Sequence, residues 1–329
     1  MKKSAGILCL ITVVVLGATT LLGYYRQHQV MKRCPAPGDF ISVEKRTLHY
    51  LQREGGEVPV VFIHGASSNS REWQQSLFDH LPKKFHLVAL DRPGLGHSER
   101  DPGVDLHGQV KIIHQAIQQL ELKRPVLVAH SLSGVLGARL LTDYPAYYQG
   151  LVLIAGAVYP IGTGSSWYTK LAALPGVGHL FRHAIIPAIA PFISPDLIEN
   201  NFHPQAVVAD YSERSCLELL FSPARFLANA EDLNQVRSFL DESYPLYSGI
   251  AAPVSLVYGD RDQVVAQFSH AGGFKYQVPH AEYIMLANTG HLLHYFHQGV
   301  IRDEIIRISS TVASKQSTDP GRDQPPVLH

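Results

Sequence analysis

Three strand ends in the sequence carry side chains that together could turn a serine into a nucleophile. Ser131 follows the apolar run Pro125–His130 and stands just before a helical pattern. Asp260 and Asp262 follow a second such run, and His291 follows a third. A serine hydroxyl is a weak nucleophile until an imidazole takes its proton, and a carboxylate fixes the tautomer of that imidazole. The residue types therefore predict acyl transfer through a Ser–acid–His triad, with either aspartate as the acid.

The segment around Ser131 has the features of a nucleophile elbow, a tight strand-to-helix turn that lifts a serine above a sheet. The positions two before and two after the serine must be small, and Ala129 and Ser133 stand where glycine is usual. Such a turn aims the backbone N–H of Leu132 at a developing oxyanion, and Ala66, after a His-Gly pair at another strand end, is expected to supply the second donor. Taken alone, the segment also fits an ordinary buried strand followed by a capped helix.

Alternating strand and helix patterns surround this segment and must position its side chains. They predict an α/β fold with a mostly parallel sheet and helices on both faces. Between residues 157 and 252 the alternation stops, and short helical patterns rich in proline and aromatic residues predict a separate helical cap. The expected organisation is a core in two parts (40–156 and 253–309), the inserted cap (157–252) and a disordered polar tail (310–329).

The N-terminus predicts a membrane anchor. Ala5–Gly23 carries no charged residue, and at about 1.5 Å per helical residue it approaches the ~30 Å of a bilayer core. We expect residues 1–25 to form an uncleaved signal anchor and residues 26–39 a polar linker; a cleaved signal peptide and a buried soluble helix are the alternatives. If the short side with Lys2 and Lys3 stays inside, the catalytic domain faces the outer or periplasmic side.

Composition removes several other classes of protein. Lys plus Arg and Asp plus Glu both number 28, so no electrostatic case for a nucleic-acid partner exists. His291, His294 and His297 are three apart, but no carboxylate follows until Asp303, so neither a metal nor an organic cofactor is expected. Two further cysteines besides that of the N-terminal run could pair only if the fold brings them together, and the spacing implies no disulfide framework.

The chain resembles the α/β-hydrolase fold family over roughly residues 40–310. The matching pieces are His64–Gly65, Asp91–Ser98, His130–Gly134, Gly259–Asp262 and Gly290–His291. In that family the acid usually stands three residues after a strand-end glycine and the histidine follows glycine directly. The resemblance therefore selects Asp262 over Asp260, and His291 as the base. Shorter phrases are similar to those of membrane-anchored monoacylglycerol lipases, namely Leu81–Val88, Gly108–Gln115 and Asp262–Val264.

These observations predict a serine hydrolase that cleaves carboxylic esters, with lipid and acylglycerol esters as the candidate substrates. The cap is expected to form an apolar acyl-chain site from Trp167, Phe181, Ile185, Ile186, Ile189, Phe192, Phe202 and Phe221. A C–C bond hydrolase or cofactor-free haloperoxidase on the same scaffold is the alternative enzyme. A catalytically inactive, membrane-tethered binding module is the alternative from another class, suggested by the two missing glycines of the elbow.

Overall fold

A single eight-stranded sheet, in the order β1-β2-β4-β3-β5-β6-β7-β8, forms the centre of the protein. The computed structural model describes residues 2–161 and 165–317. Strand β2 is antiparallel to β1 and β4, and the other neighbouring pairs are parallel, so the predicted mostly parallel sheet is confirmed. The strands are β1 Asp39–Val43, β2 Arg46–Arg53, β3 Val58–Ile63, β4 Phe85–Leu90, β5 Val126–His130, β6 Gly150–Ile154, β7 Val254–Gly259 and β8 Glu282–Leu286.

The central strands are continuous apolar runs because both of their faces are covered. Every residue of β5, β6 and β7 is buried. Their register pairs Ile63 with Ala129, His130 with Ile154, and Ile154 with Val257. The carboxyl ends of four neighbouring strands therefore meet at one edge of the sheet, where the loops that follow them can share a site.

Helices cover both faces of the sheet, as the alternating pattern predicts. One core contains residues of α3, α4, α9 and α10, and a second contains residues of α2 and α11. The α-helices are α1 Lys2–Arg33, α2 Arg71–Ser76, α3 Leu106–Gln119, α4 Ser133–Asp143, α5 Trp167–Ala173, α6 Val177–Leu180, α7 Ile186–Phe202, α8 Tyr211–Arg214, α9 Pro223–Ser243, α10 Gln267–Gln277 and α11 Gln298–Ser317.

Within the described residues, the regular structure between β6 and β7 is all helical, and turns and irregular stretches join the helices. It contains α5 to α9, a π-helical turn at Phe181–Ile185, and 3-10 turns at Leu217–Phe221 and Tyr244–Gly249. Two small apolar clusters hold it together, one around Phe181 and Phe226 and one around Phe202. A further 3-10 turn, Leu293–Tyr295, follows the sheet.

The N-terminal helix is longer than the sequence pattern predicts, and the linker expected at 26–39 is helical up to Arg33. The helix continues because its last turns pack on the protein. Arg26 donates to the carbonyl of Pro187 at 2.7 Å, and Val30 is buried beside a disulfide between Cys34 and Cys216. The fold thus brings together the two cysteines whose pairing the sequence left open.

Two more features bear on the expected chain ends. Among the described residues, one helical stretch, Val177–Phe202, is long and apolar enough to cross a membrane, and 33% of its apolar window is buried inside the protein. The N-terminal span stays a prediction. The final helix continues to Ser317 instead of ending at Ser309, so the tail predicted from residue 310 is helical at its start, and its remainder lies outside the described residues.

Candidate active site

Ser131 occupies the strained turn that the elbow motif predicts. Its φ angle is +53°, a left-handed conformation that residues other than glycine rarely adopt. The turn is fixed by backbone hydrogen bonds, because Ser131 N–H donates to Ile154 and its carbonyl accepts from Gly134 and Ala157. A Cβ atom at Gly134 would lie 2.8 Å from Gly156 Cα, so this glycine allows the close approach.

The two departures from glycine in the elbow are accommodated by neighbouring residues. Ala129 faces Gly137 of α4, where an added Cβ would lie 3.1 Å from the Ala129 methyl. The missing side chain at Gly137 therefore leaves room for the methyl group at position 129. Ser133 is buried, and its hydroxyl donates to the backbone carbonyl of His64 at 2.5 Å. The second departure therefore links the elbow helix to the loop after β3.

The three predicted side chains lie in one hydrogen-bonded row. Ser131 Oγ is 3.0 Å from His291 Nε2, and His291 Nδ1 is 2.8 Å from Asp262 Oδ2. The second oxygen of Asp262 accepts the backbone N–H groups of Val264 and Val265 at 2.8 and 2.9 Å. Burial alone would raise the pKa of Asp262, but His291 and these hydrogen bonds outweigh it and lower the pKa. The carboxylate is therefore held ionised and aimed at the imidazole.

The alternative acid is directed elsewhere. Asp260 Oδ1 accepts the backbone N–H of Thr289 at 3.2 Å and stabilises the turn that carries His291. Of the two aspartates, it is Asp262 that contacts His291, and its role as the acid stays a prediction.

Two backbone N–H groups are available beside Ser131. Ala66 and Leu132 both line the cleft that exposes the serine, and within the described part of the chain neither N–H has a hydrogen-bond partner. Leu132 precedes the first turn of α4, where the helix dipole favours negative charge. The arrangement can attack a carbonyl carbon and hold the resulting oxyanion.

The cleft in front of Ser131 has a volume of about 350 Å³. Of the eight cap residues predicted to line it, Phe221 alone does so among the described residues. Trp167 and Phe192 are 71% and 78% exposed, while Phe181 and Ile186 pack in a separate cluster. The spacing of apolar residues in a helix shows that one face is apolar, but it does not show whether that face lines the cleft, packs on another helix or is exposed. The apolar lining consists of Ala66, Leu132, Ala157, Tyr168, Leu197, Ile198, Tyr211, Leu217, Leu220, Phe221, Leu233, Val236, Val264, Val265 and Leu292.

A buried charged cluster that the sequence analysis missed lies behind Ser131. Glu72 Oε1 is 3.0 Å from both His130 Nδ1 and His294 Nε2, and all three residues are buried. Burial opposes ionisation of Glu72, but the two histidines outweigh it and hold its pKa well below the usual range. Glu72 lies in a helical pattern far from both histidines along the chain, so no local spacing connects the three.

Asp91 and Arg92, which follow β4 directly, hold loops together. Asp91 is buried and accepts the backbone N–H groups of Ser70 and His97 at 2.7 Å each. Arg92 is also buried and forms an ion pair with Asp232 of α9. This pair fixes the last helix of the inserted segment to the rim of the sheet.

The chain belongs to the alpha/beta hydrolase family and is a hydrolase: the sequence model of that family matches residues 60–303. This agrees with the resemblance drawn from the five short motifs. Among curated proteins it is similar to monoacylglycerol lipase abhd6-B of Xenopus laevis, with 30% identity over 65% of this chain and 64% of that protein. It is 26% identical to human monoacylglycerol lipase ABHD6 over 73% of this chain and 71% of that protein. The matched part therefore spans about two thirds of the length of these relatives.

Solved structures share the fold at low sequence identity. A membrane phospholipase A described as a bacterial virulence factor superposes with a TM-score of 0.65 at 21% identity, over 95% of this chain and 99% of that chain. A meta-cleavage product hydrolase from Pseudomonas fluorescens superposes with a TM-score of 0.67 at 17% identity, over 84% of this chain and 98% of that chain. Together with the mostly parallel sheet, these matches confirm the α/β-hydrolase fold.

Proposed function

We propose that this protein is a serine esterase in which Ser131 attacks the acyl carbon of a carboxylic ester. His291 takes the serine proton as the general base and then gives it to the leaving alcohol as the general acid. Asp262 accepts the hydrogen on Nδ1 of His291, so the Nε2 that faces the serine carries a free lone pair. Water then attacks the acyl-enzyme: His291 takes a proton from the water and gives it to Ser131 Oγ as the acyl group leaves as the carboxylic acid. The main support for this proposal is the row of contacts at 3.0 and 2.8 Å from Ser131 through His291 to Asp262.

The oxyanion is stabilised by the backbone N–H groups of Ala66 and Leu132. Gly65, between the strand and Ala66, allows this loop to come close, because a Cβ there would lie 2.9 Å from Ser131 Cβ. The Ser133 hydroxyl holds the same loop through the His64 carbonyl. Donors fixed in this way need no reorganisation when charge develops, which is the largest contribution in many acyl-transfer enzymes.

The substrate we propose is a lipid ester, with an acylglycerol as the first candidate. The cleft lining is mainly aliphatic and aromatic, as expected for an acyl chain. The two relatives compared above are named monoacylglycerol lipases. We assign residues 157–252 as the cap, because α7 supplies Leu197 and Ile198 to the cleft while Phe192 on the same helix faces outward.

We propose that α1 anchors the enzyme in a membrane by its first two thirds. Except for half-buried Leu16, the large apolar side chains described between Ile7 and Leu22 are 41% to 72% exposed, which is costly in water but suits lipid. The helix meets the cap at Gly23, where an added Cβ would lie 3.0 Å from Pro187. The exposed Trp167 and Phe192 of the cap would then face the bilayer from which substrate enters.

We further propose that the catalytic domain lies on the outer or periplasmic side. The Cys34–Cys216 disulfide supports this, because disulfides persist in oxidising compartments. Alkylation of intact cells with a maleimide before and after reduction tests it, in a Cys9→Ser background so that only the two paired cysteines report. Labelling before reduction would contradict this location.

The activity is tested with p-nitrophenyl esters of increasing chain length and with monoacylglycerols in vesicles. We expect hydrolysis by the wild type that is absent in Ser131→Ala. Trp167→Ser and Phe192→Ser should slow hydrolysis of vesicle-borne substrate and leave soluble short-chain esters unaffected. Cleavage of a vinylogous 1,5-diketone without any ester hydrolysis would instead identify a C–C bond hydrolase, and no activity of either kind would contradict the proposal.

A further inference from the structure

Three potential metal ligands converge behind the serine, and each comes from a different element. Glu72 lies in α2, His130 is the last residue of β5, and His294 lies in the 3-10 turn Leu293–Tyr295. Glu72 Oε1 is 3.0 Å from one nitrogen of each ring. The exposed fractions are 1%, 3% and 0%, respectively, so bulk water does not satisfy these atoms.

The hydrogen bond of His130 on its other side determines what it presents to Glu72. His130 Nε2 lies 3.3 Å from the backbone carbonyl of His291, and since a carbonyl only accepts, Nε2 must carry the hydrogen. In the neutral ring, Nδ1 then presents a lone pair to a carboxylate oxygen. Two lone pairs at 3.0 Å repel in a buried site unless positive charge lies between them, and this charge is either a proton on Nδ1 or a cation.

The directions of the groups favour a cation. Glu72 Oε1, His130 Nδ1 and His294 Nε2 all lack a hydrogen-bond partner among the described residues. Their 3.0 Å separations are short enough for hydrogen bonds, so it is the direction of each ring N–H that misses the oxygen. A shared proton would align one ring with Oε1. A metal ion instead takes one lone pair from each of the three atoms at a common point.

The donor set and its surroundings also fit a metal ion. Two imidazole nitrogens and one carboxylate oxygen are a usual set for Zn²⁺, with a fourth position left for water. Glu72 and His130 line the cleft, which gives an ion a path to the site. Neighbouring residues fix the orientation of two of the ligands. Ser68 Oγ donates to the second oxygen of Glu72, and the His294 and Trp73 rings pack with their centroids 5.0 Å apart.

We propose that Glu72, His130 and His294 form a binding site for one divalent transition-metal ion of the Zn²⁺ class. The site lies beside the Ser131–His291–Asp262 row and shares no side chain with it. Hydrolysis as proposed above requires no metal, so the ion acts on structure: it ties α2 and β5 to the loop that presents His291. No carboxylate lies close to His294 in the sequence, but the fold brings Glu72 to it.

Metal content decides the proposal directly. The full-length protein, without a polyhistidine tag, is stripped with a chelator, dialysed against ZnCl₂ and analysed by mass spectrometry of the metal and by titration calorimetry. We expect one Zn²⁺ per chain. Glu72→Gln and His294→Asn should each weaken binding by at least about 100-fold, since loss of a mere orienting group already costs 10- to 100-fold. Cobalt substitution should give the visible absorption of a four-coordinate ion, lost in the same variants.

Two controls separate this site from the catalytic row and from adventitious binding. Ser131→Ala should keep full metal content, so failure of the proposed esterase leaves this test intact. His183→Asn removes one member of the His179–His183 pair in the cap, whose rings lie 3.9 Å apart, and should also leave the metal content at one ion per chain.

A wild type that binds no Zn²⁺ or Co²⁺ after loading would overturn the proposal and identify the cluster as an imidazolium–carboxylate pair. The proposal would also be overturned if the folded Glu72→Gln and His294→Asn variants kept the metal ion. The same holds if the His183→Asn variant alone lost the metal ion. If the buried variants fail to fold by circular dichroism, the wild-type titration and cobalt spectrum still decide.

Discussion

Replacing Asp262 by asparagine should abolish nearly all activity while leaving the fold intact. The backbone N–H groups of Val264 and Val265 hold Oδ1, so the amide oxygen of the new residue stays there and its NH₂ group points at His291 Nδ1. An NH₂ group donates, so Nδ1 must become the acceptor and Nε2 must carry the hydrogen. His291 then cannot accept the proton of Ser131 across their 3.0 Å contact.

The magnitude follows from the loss of this tautomer. A wrong tautomer in a Ser–His–Asp triad lowers kcat by about 10⁴-fold, which equals roughly 5.4 kcal/mol at about 1.36 kcal/mol per factor of ten. Asp260→Asn is the matched control: its side-chain oxygen still accepts from Thr289 N–H. We expect its kcat/KM to stay within about threefold, because substitutions away from buried networks usually change free energies by about 0.5 kcal/mol or less.

Both variants are compared with the wild type on the best p-nitrophenyl ester, with the thermal midpoint measured in parallel. A folded Asp262→Asn enzyme with more than about a tenth of wild-type kcat would refute the assignment of the acid, since so small a loss does not fit a wrong tautomer. A large loss in Asp260→Asn without a loss of stability would show that the acid was placed two residues too late.

Three further predictions concern stability. His49 and other partners of the buried Asp91 outweigh its burial and lower its pKa to about 2. The carboxylate therefore contributes roughly 2–3 kcal/mol of stability above about pH 4, which is lost as the pH falls through about 2. In urea unfolding, Asp91→Asn should show a lower free energy of unfolding at pH 7 and a smaller change in it between pH 6 and pH 3. Ser133→Gly removes a buried hydrogen bond to the loop after β3 and should cost about 1–3 kcal/mol and slow acylation, whereas unchanged stability and turnover would mean that the serine merely fits. Reduction of the Cys34–Cys216 bridge should destabilise the protein by about 2–4 kcal/mol, and an equal thermal midpoint with and without reductant would contradict this.

The mostly parallel sheet was predictable because its strands and helices alternate in patterns that are local in sequence. A buried parallel strand is a short apolar run, and the predicted site residues Ser131 and Asp262 stand within three residues after the end of such a strand. The family resemblance then resolved the choice between Asp260 and Asp262, which spacing alone left open. The structure supplies the reason, since the two carboxylates face different partners.

Contacts between distant segments were not predictable in the same way. The N-terminal helix continues to Arg33 because Val30 packs beside Cys216, and no local signal announces that contact. The apolar residues of the cap were recognised, but helical periodicity does not say which side meets the cleft, so Phe192 was assigned to a site that it does not reach. Glu72 was missed because its partners, His130 and His294, come from other elements.

The most direct test of the central claim is labelling with a fluorophosphonate probe followed by mapping of the modified peptide. The probe reacts with a serine only when a base and an oxyanion site activate it. The wild type should carry one label, on Ser131, and Ser131→Ala should carry none although it folds. A folded wild type that stays unlabelled, or a label on another serine, would contradict the assignment of Ser131 as the nucleophile.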